Sequence, residues 1–135
     1  MNNGTLDLRF HHVGLACRRL EAERKAHELL GYVAEGETFV DPVQRIRGLF
    51  MTNGGMRIEL LEPAASPSPV DEILQRGQKM YHQGFLCSDI RAAVAYLEQN
   101  GARVISPPVP AVAFGGKEIS FLMLRTLMIV ELIER

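Results

Sequence analysis

The sequence contains no tryptophan and few aromatic residues, which make up 7% of its 135 residues. Its formal net charge of −1 leaves no excess of basic residues, so nucleic acids and anionic membranes are not expected partners. No apolar stretch approaches the roughly 18 residues that a membrane-spanning helix needs, and the first residues lack the apolar core of a signal peptide. We therefore expect a cytoplasmic protein.

Cysteine is also scarce, and the two cysteines, Cys17 and Cys87, occupy matching places in the two halves of the chain. A disulfide could join them. In a reducing compartment, however, two buried thiols are the favoured interpretation. We expect both thiols to be free.

One arrangement of residues occurs twice. A His-x-Gly strand leads into a helix that a glycine ends, and an apolar strand with a glutamate follows later. The members are His12, Gly14, Gly31 and Glu59 in the first half and His82, Gly84, Gly101 and Glu131 in the second. The histidines are 70 positions apart and the glutamates 72, as expected for a duplication with a small insertion in a loop.

The duplication predicts two modules in a single domain that spans residues 1–135. Module 1 covers about 6–63, a proline-rich linker with a short helix covers 64–77, and module 2 covers about 78–135. A module of roughly 65 residues buries too little apolar surface to be more than marginally stable alone, so the two modules are expected to share a core or to pair between chains.

Apolar periodicity and turn signals predict the order β-α-β-β-β in each module, which favours an α+β fold. In module 1, the predicted strands cover 8–16, 32–40, 44–52 and the segment around Glu59, with a helix at 19–30. In module 2, the predicted strands cover 79–87, 103–105, 117–124 and 127–133, with a helix between Asp89 and Gly101. Residues 107–116, with three prolines and two adjacent glycines, are predicted to form a long loop.

The recurring histidines and glutamates form a candidate metal-ligand set. Side chains alternate across a strand, so each of the four lies on one defined face, and equivalent strands that face each other would bring them together. Two imidazole nitrogens and two carboxylate oxygens suit Zn²⁺, Ni²⁺, Co²⁺ or Mn²⁺. Small residues on the same faces would leave an open hollow beside the ion; these are Gly14, Ala16 and Gly84.

A structural interpretation competes with the metal site. A single histidine on a strand is more often a hydrogen-bonded core residue than a ligand, and a glutamate on a half-exposed strand can simply face water. Four such residues at matching places favour the metal site, because drift would normally have erased one half of the pattern. His11 and His27 are interpreted as structural or surface residues, and Glu62 and Glu134 fall on the faces opposite to Glu59 and Glu131.

Five segments, in this order along the chain, resemble a known family. They are His12–Ala16, Arg57–Pro63, Tyr81–His82, Gly115–Phe121 and Ile129–Leu132. Together they resemble the vicinal oxygen chelate superfamily, and most of all its glyoxalase I and methylmalonyl-CoA epimerase branches. The resemblance implies two βαβββ modules that form an incompletely closed mixed β-barrel around one divalent ion, in a protein that is commonly a homodimer.

The same resemblance implies the chemistry. It assigns His12, Glu59, His82 and Glu131 as metal ligands, and glutamate at the second ligand position is typical of the bacterial glyoxalase I set, which prefers Ni²⁺ or Co²⁺. The implied activity is a metal-dependent lyase or isomerase of the glyoxalase I type, which polarises a substrate carbonyl and moves an α-proton through a metal-bound enolate. Glu131 is the expected base, with Glu59 as the second catalytic candidate. The expected substrate is a small molecule: a hemithioacetal, an acyl thioester or a related α-oxygenated compound.

Departures from the family pattern keep the specific activity open. Gly48 stands where the epimerases carry a second, non-ligand glutamate, and Ala16 stands where glutathione-using glyoxalases carry an arginine. An activity like that of methylmalonyl-CoA epimerase is therefore the alternative, and the residue at position 48 favours glyoxalase I over it. Retention of four ligands and the absence of tryptophan disfavour an antibiotic-binding module without activity, and the second glutamate disfavours an Fe²⁺ dioxygenase.

Overall fold

A computed structural model of the chain describes residues 7–135, which form two compact units. The first unit is His12–Tyr81. The second unit consists of His82–Arg135 and the described residues before His12. The predicted start of module 1, at about residue 6, and the N-terminal residues predicted to lack a signal-peptide core lie outside the described residues.

The described residues form eight strands, three α-helices and a short 3₁₀ turn at Val112–Phe114. The strands are β1 (Arg9–Ala16), β2 (Val33–Asp41), β3 (Ile46–Asn53), β4 (Met56–Pro63), β5 (Met80–Cys87), β6 (Arg103–Pro110), β7 (Glu118–Met123) and β8 (Ile129–Glu134). The helices are α1 (Leu20–Leu29), α2 (Val70–Gln75) and α3 (Ile90–Gln99). None of these helices combines the length and the apolar character needed to cross a bilayer.

The strand order is the same in both units. It is β2-β3-β4-β1 in the first unit and β5-β8-β7-β6 in the second. The pairs β1/β4 and β5/β8 are parallel, whereas the hairpin partners are antiparallel. The sheet is therefore mixed. It is not closed, because strands β2 and β6 each have a neighbour on one side only. The predicted α+β fold with two βαβββ modules is confirmed.

The packing of each helix against its unit decides which strand face remains for a site. In the first unit α1 covers a buried apolar cluster, and in the second α3 does the same. The clusters are Leu15, Cys17, Leu20, Leu49, Met51, Ile58 and Leu60 in the first unit and Cys87, Ile90, Ala93, Leu122, Val130 and Leu132 in the second. Each fully buried leucine or isoleucine contributes about 1.5–3 kcal/mol. Because side chains alternate, the residues next to these positions on β3, β4, β7 and β8 project from the opposite face.

The two long helices begin differently. Asp89 caps α3 with its own side chain, since its Oδ1 accepts a hydrogen bond from the Ala92 amide at 3.1 Å. No side chain at the α1 cap position does this. Instead, Glu62 accepts a hydrogen bond from the Leu20 amide at 2.6 Å and forms an ion pair with Arg47 at 2.6 Å. Glu62 therefore lies on the helix side of the sheet and stabilises the start of α1.

The predicted loop at residues 107–116 is wrong in its first part, because β6 continues to Pro110. A proline cannot donate a backbone hydrogen bond, so prolines in a sheet are confined to edge strands and bulges. Strand β6 is an edge strand, and its pairing with β7 shifts register on either side of Ser106. The prolines therefore interrupt the pairing of β6 without ending the strand.

Cys17 and Cys87 are buried free thiols in the described structure, as predicted. Burial is the main reason that the pKa of Cys17 is raised to about 12 and that of Cys87 to about 11. Both thiols therefore stay protonated at pH 8, and we expect them to react with an aromatic disulfide reagent about 100-fold more slowly in the native protein than in denaturant. Rapid native labelling at pH 8 would contradict this environment.

Candidate metal centre

The first unit contains one His–Glu pair, on the parallel strands β1 and β4. His12 Nε2 lies 3.0 Å from Glu59 Oε1, and the two side chains are 0% and 5% exposed. Phe50 lies directly opposite Glu59 in the β3/β4 pairing. Its ring meets the His12 ring edge to face, with 5.4 Å between the ring centres. Strand β1 thus supplies the imidazole, β4 the carboxylate and β3 the aromatic neighbour.

The second unit contains the equivalent pair on β5 and β8. His82 Nε2 lies 3.2 Å from Glu131 Oε1, and the two side chains are 0% and 3% exposed. Phe121 lies opposite Glu131 in the β7/β8 pairing, and its ring meets the His82 ring edge to face at 5.2 Å. The duplication therefore preserved a three-residue assembly in each unit: a histidine, a glutamate and a phenylalanine.

The two phenylalanines were not predicted as site residues. Phe50 lies nine residues before Glu59, and Phe121 lies ten residues before Glu131, so both lie at the hairpin position that faces the glutamate. Comparison of the two hairpins could have identified them from the sequence. Each ring packs beside an imidazole, where it limits access of water and fixes the ring plane.

Each pair has the geometry and chemistry of metal ligands. Two ligand atoms at about 2.1 Å from one ion are roughly 3.0 Å apart when they subtend a right angle. The same separation fits an imidazole–carboxylate hydrogen bond, so distance alone does not distinguish the two. Burial favours the metal-site interpretation, because removing a carboxylate from water costs free energy unless a cation or several hydrogen-bond donors compensate. His12, Glu59, His82 and Glu131 are all buried and offer nitrogen and oxygen donors that suit a divalent cation.

A charged pair lies beside the carboxylate of the first unit. Arg57, two residues before Glu59 on the same face of β4, forms two hydrogen bonds with Glu35 of β2, at 2.8 and 3.2 Å. The hydrogen bonds that Arg57 donates to the Glu35 carboxylate are the main cause that raises the pKa of Arg57, so the guanidinium remains a cation throughout the accessible pH range.

The other polar residues considered in the sequence have structural environments. His11 contacts Phe114 edge to face at 5.5 Å within the second unit. His27 Nδ1 lies 3.0 Å from the carbonyl oxygen of Glu23, and its ring packs against Tyr32. Glu134 pairs with Cys87 in the β5/β8 pairing. Because side chains alternate along a strand, Glu134 projects from the face opposite to that of Glu131 and Ile133. These contacts agree with the structural interpretation of His11 and His27.

A family model described as the Glyoxalase/Bleomycin resistance protein/Dioxygenase superfamily matches residues 11–121. The chain belongs to this superfamily. The match begins in β1 and ends in β7 of the second module, and it confirms the family that the sequence segments resemble.

The proteins to which this chain is similar include epimerases. The ethylmalonyl-CoA/methylmalonyl-CoA epimerase of Cereibacter sphaeroides is 29% identical over 116 residues, which cover 84% of this chain and 87% of the relative. YqjC of Bacillus subtilis, an uncharacterized protein, is 29% identical over 130 residues, which cover 93% and 91% of the two chains. A variant of the Streptomyces coelicolor methylmalonyl-CoA epimerase, solved with 2-nitronate-propionyl-CoA, has the same fold, with a TM-score of 0.78, 24% identity and 93% coverage of each chain.

These relatives bear on the two activities considered in the sequence. The Cereibacter sphaeroides relative is named as an epimerase, and neither relative compared by sequence is named as a glyoxalase I, so the preference for glyoxalase I gains no specific support. The epimerase alternative does gain support.

Proposed function

We propose that this chain is a metal-dependent isomerase that removes the proton from the carbon next to the carbonyl of a small acyl thioester. The observation that carries the proposal is the buried His–Glu pair that occurs in each unit with the same neighbours. The epimerase relative, 29% identical over most of both chains, supports a CoA thioester as the substrate class. The same relative supports an enzyme that acts on a small molecule.

The proposed metal centre combines the two pairs, so that His12, Glu59, His82 and Glu131 hold one divalent ion. The equal donor types, the duplication and the burial of all four residues support this combination. A site with two nitrogens and two oxygens suits Ni²⁺, Co²⁺ or Zn²⁺, with Mn²⁺ as a further candidate. The homodimer implied by the family resemblance remains a prediction, which sedimentation analysis of the purified protein would test.

The roles of the residues follow from their environments. When bound, a divalent ion supplies Lewis-acid stabilisation of the charge that develops on a carbonyl oxygen, worth several kcal/mol. Glu131 is the proposed proton acceptor, and Glu59 is the second candidate. A carboxylate that removes or returns a proton contributes typically about 10²–10⁴-fold. Phe50 and Phe121 keep the histidine rings oriented and water away from the carboxylates.

Exchange of the α-proton with solvent tests this function directly. The protein, loaded with each candidate ion, is incubated in deuterated buffer with methylmalonyl-CoA and, separately, with the hemithioacetal of glutathione and methylglyoxal. We expect mass spectrometry to detect deuterium in the recovered methylmalonyl-CoA at a rate that chelation of the metal reduces to the protein-free rate. The absence of protein-dependent exchange with every ion would contradict the proposed function.

Glyoxalase I activity is the second candidate, and one observation favours it. Position 48, where the family resemblance places a second carboxylate in epimerases, is a glycine covered by the ring of Phe39. The hemithioacetal incubation distinguishes the two candidates. Formation of a stable thioester product from the hemithioacetal, without exchange into methylmalonyl-CoA, would favour the lyase.

A further inference from the structure

Arg57 and Glu35 form an ion pair on the face of the first unit that carries Glu59. Arg57 Nε lies 2.8 Å from Glu35 Oε1, and the two side chains are 32% and 46% exposed. Glu35 lies opposite Phe50 in the β2/β3 pairing, and Phe50 lies opposite Glu59 in the β3/β4 pairing. Residues that lie opposite each other on neighbouring strands project from the same face of a sheet. The ion pair therefore borders the candidate metal ligand and is open to solvent.

Arg57 also lies beside the histidine of the first unit. Val13 pairs with Ile58 in the parallel β1/β4 pairing, so the preceding residues, His12 and Arg57, are neighbours on the two strands. Side chains alternate along β4, which places Arg57 and Glu59 on one face. A small molecule bound at the His12–Glu59 pair therefore has the guanidinium of Arg57 as a neighbour.

The equivalent place in the second unit is apolar. His82 pairs with Ile129 in the β5/β8 register, and Ile129 pairs with Met123 of β7. The arrangement of histidine, glutamate and phenylalanine therefore folds in that unit with an apolar residue where the first unit has Arg57. A partly exposed ion pair adds little to stability. Stability alone thus gives little reason for a guanidinium beside one histidine and an isoleucine beside the other.

The ion pair already shows how Arg57 binds a carboxylate. A guanidinium presents its N–H donors in a planar fork, which matches the two oxygens of a carboxylate. Arg57 donates from Nε and Nη2 to the two oxygens of Glu35, at 2.8 and 3.2 Å. Glu35 is the last regularly paired residue of β2 before a shift in register, and Gly36 follows it with a left-handed φ of +80°. This carboxylate therefore lies at an irregular point of an edge strand, where a second carboxylate can replace it.

We propose that Arg57 is a specificity-determining residue that binds the free carboxylate of a 2-carboxyacyl thioester, and that Glu35 occupies this place until the substrate displaces it. The inference rests on the proposed function and names the acyl group, which is of the malonyl type. Exchange of one carboxylate for another leaves the charge balance at Arg57 unchanged, and the exposed Glu35 turns to water. A cation at this place also offsets the repulsion between Glu59 and an anionic acyl group.

Two thioesters test the inference: methylmalonyl-CoA, which has the acyl carboxylate, and propionyl-CoA, which lacks it. The KM for α-proton exchange in deuterated buffer and the calorimetric dissociation constant are measured for both with the metal-loaded protein. For Arg57→Gln, we expect both constants to rise about 10–100-fold with methylmalonyl-CoA, as for the loss of a hydrogen bond to a charged group, and less than about 2-fold with propionyl-CoA.

The outcomes separate this inference from the proposed function. Both thioesters carry the phosphates of CoA, so equal losses with both would assign Arg57 to that part of the substrate and overturn the inference. Unchanged affinity of Arg57→Gln for methylmalonyl-CoA would also overturn it, while exchange by the wild type would leave the proposed function intact. Absence of exchange by the wild type with either thioester would contradict the proposed function and the inference together.

Glu35→Gln tests the displacement. The neutral amide competes less well for Arg57, so we expect the dissociation constant of methylmalonyl-CoA to fall about 2–5-fold, which corresponds to the strength of an exposed ion pair. An unchanged or higher constant in a variant with wild-type thermal unfolding would contradict displacement. Arg47→Gln is the matched control, because Arg47 forms a similar ion pair with Glu62 on the helix side of the same sheet. Its affinities for both thioesters should equal those of the wild type.

Discussion

Replacement of His82 by alanine is expected to weaken metal binding by more than about 100-fold, since the loss of even an outer-shell partner of a metal ligand typically costs 10–100-fold in affinity. His82 is completely buried beside Glu131, and Phe121 closes the space around its ring. Competition with a metal-sensitive dye would measure the affinity, and we expect α-proton exchange to fall to the protein-free rate.

The matched controls for this prediction are His11→Ala and His27→Ala. Both histidines pack against aromatic rings, as His82 does, but neither belongs to a His–Glu pair with the duplicated arrangement. We expect each control to bind metal with the affinity of the wild type. Wild-type metal affinity in a His82→Ala variant that unfolds at the wild-type temperature would mean that His82 is not a metal ligand.

Replacement of Glu131 by glutamine is expected to slow α-proton exchange by about 10²–10⁴-fold, which is the usual contribution of a positioned acid–base group. The amide is nearly the same size as the carboxylate and retains an oxygen, so the fold and much of the metal affinity should survive. A deuterium-exchange time course at saturating metal measures the effect. Loss of exchange with retained metal separates a catalytic role from a purely ligating one.

Two further variants locate the base. Glu59→Gln is the symmetry-related change, and we expect it to slow exchange less than Glu131→Gln does. Glu134→Gln changes a half-buried carboxylate on the same strand as Glu131. Because Glu134 projects from the opposite face of that strand, this change should leave exchange unaffected. If Glu59→Gln had the larger effect, the base would belong to the first unit, and the assignment based on the resemblance would be reversed.

Much of the fold follows from local sequence signals. The repeated His-x-Gly strand, the Asp89 cap and the glycines that end the helices mark elements whose type is fixed by neighbouring residues. Strand β6 could not be delimited in this way, because prolines normally indicate a loop. They are tolerated here by the edge position of the strand, which is a property of tertiary structure.

The candidate site was only partly predictable. Alternation along a strand gives the face of Glu59 or Glu131, and the duplication identifies the four ligands as related pairs. The contact between Phe39 and Gly48 could not be read from the sequence, because the pairing of β2 with β3 shifts register between Glu35 and Phe39. Such a shift changes which face a side chain occupies, so simple alternation from the start of β2 gives no reliable position for Phe39.

Metal stoichiometry is the most direct test of a single ion held by both pairs. Elemental analysis of the purified protein, metal-loaded and then desalted, should find one divalent ion per chain. The ion should be absent from His12→Ala and from His82→Ala alike, although these histidines belong to different units. Two ions per chain, with each variant retaining one of them, would contradict the shared centre.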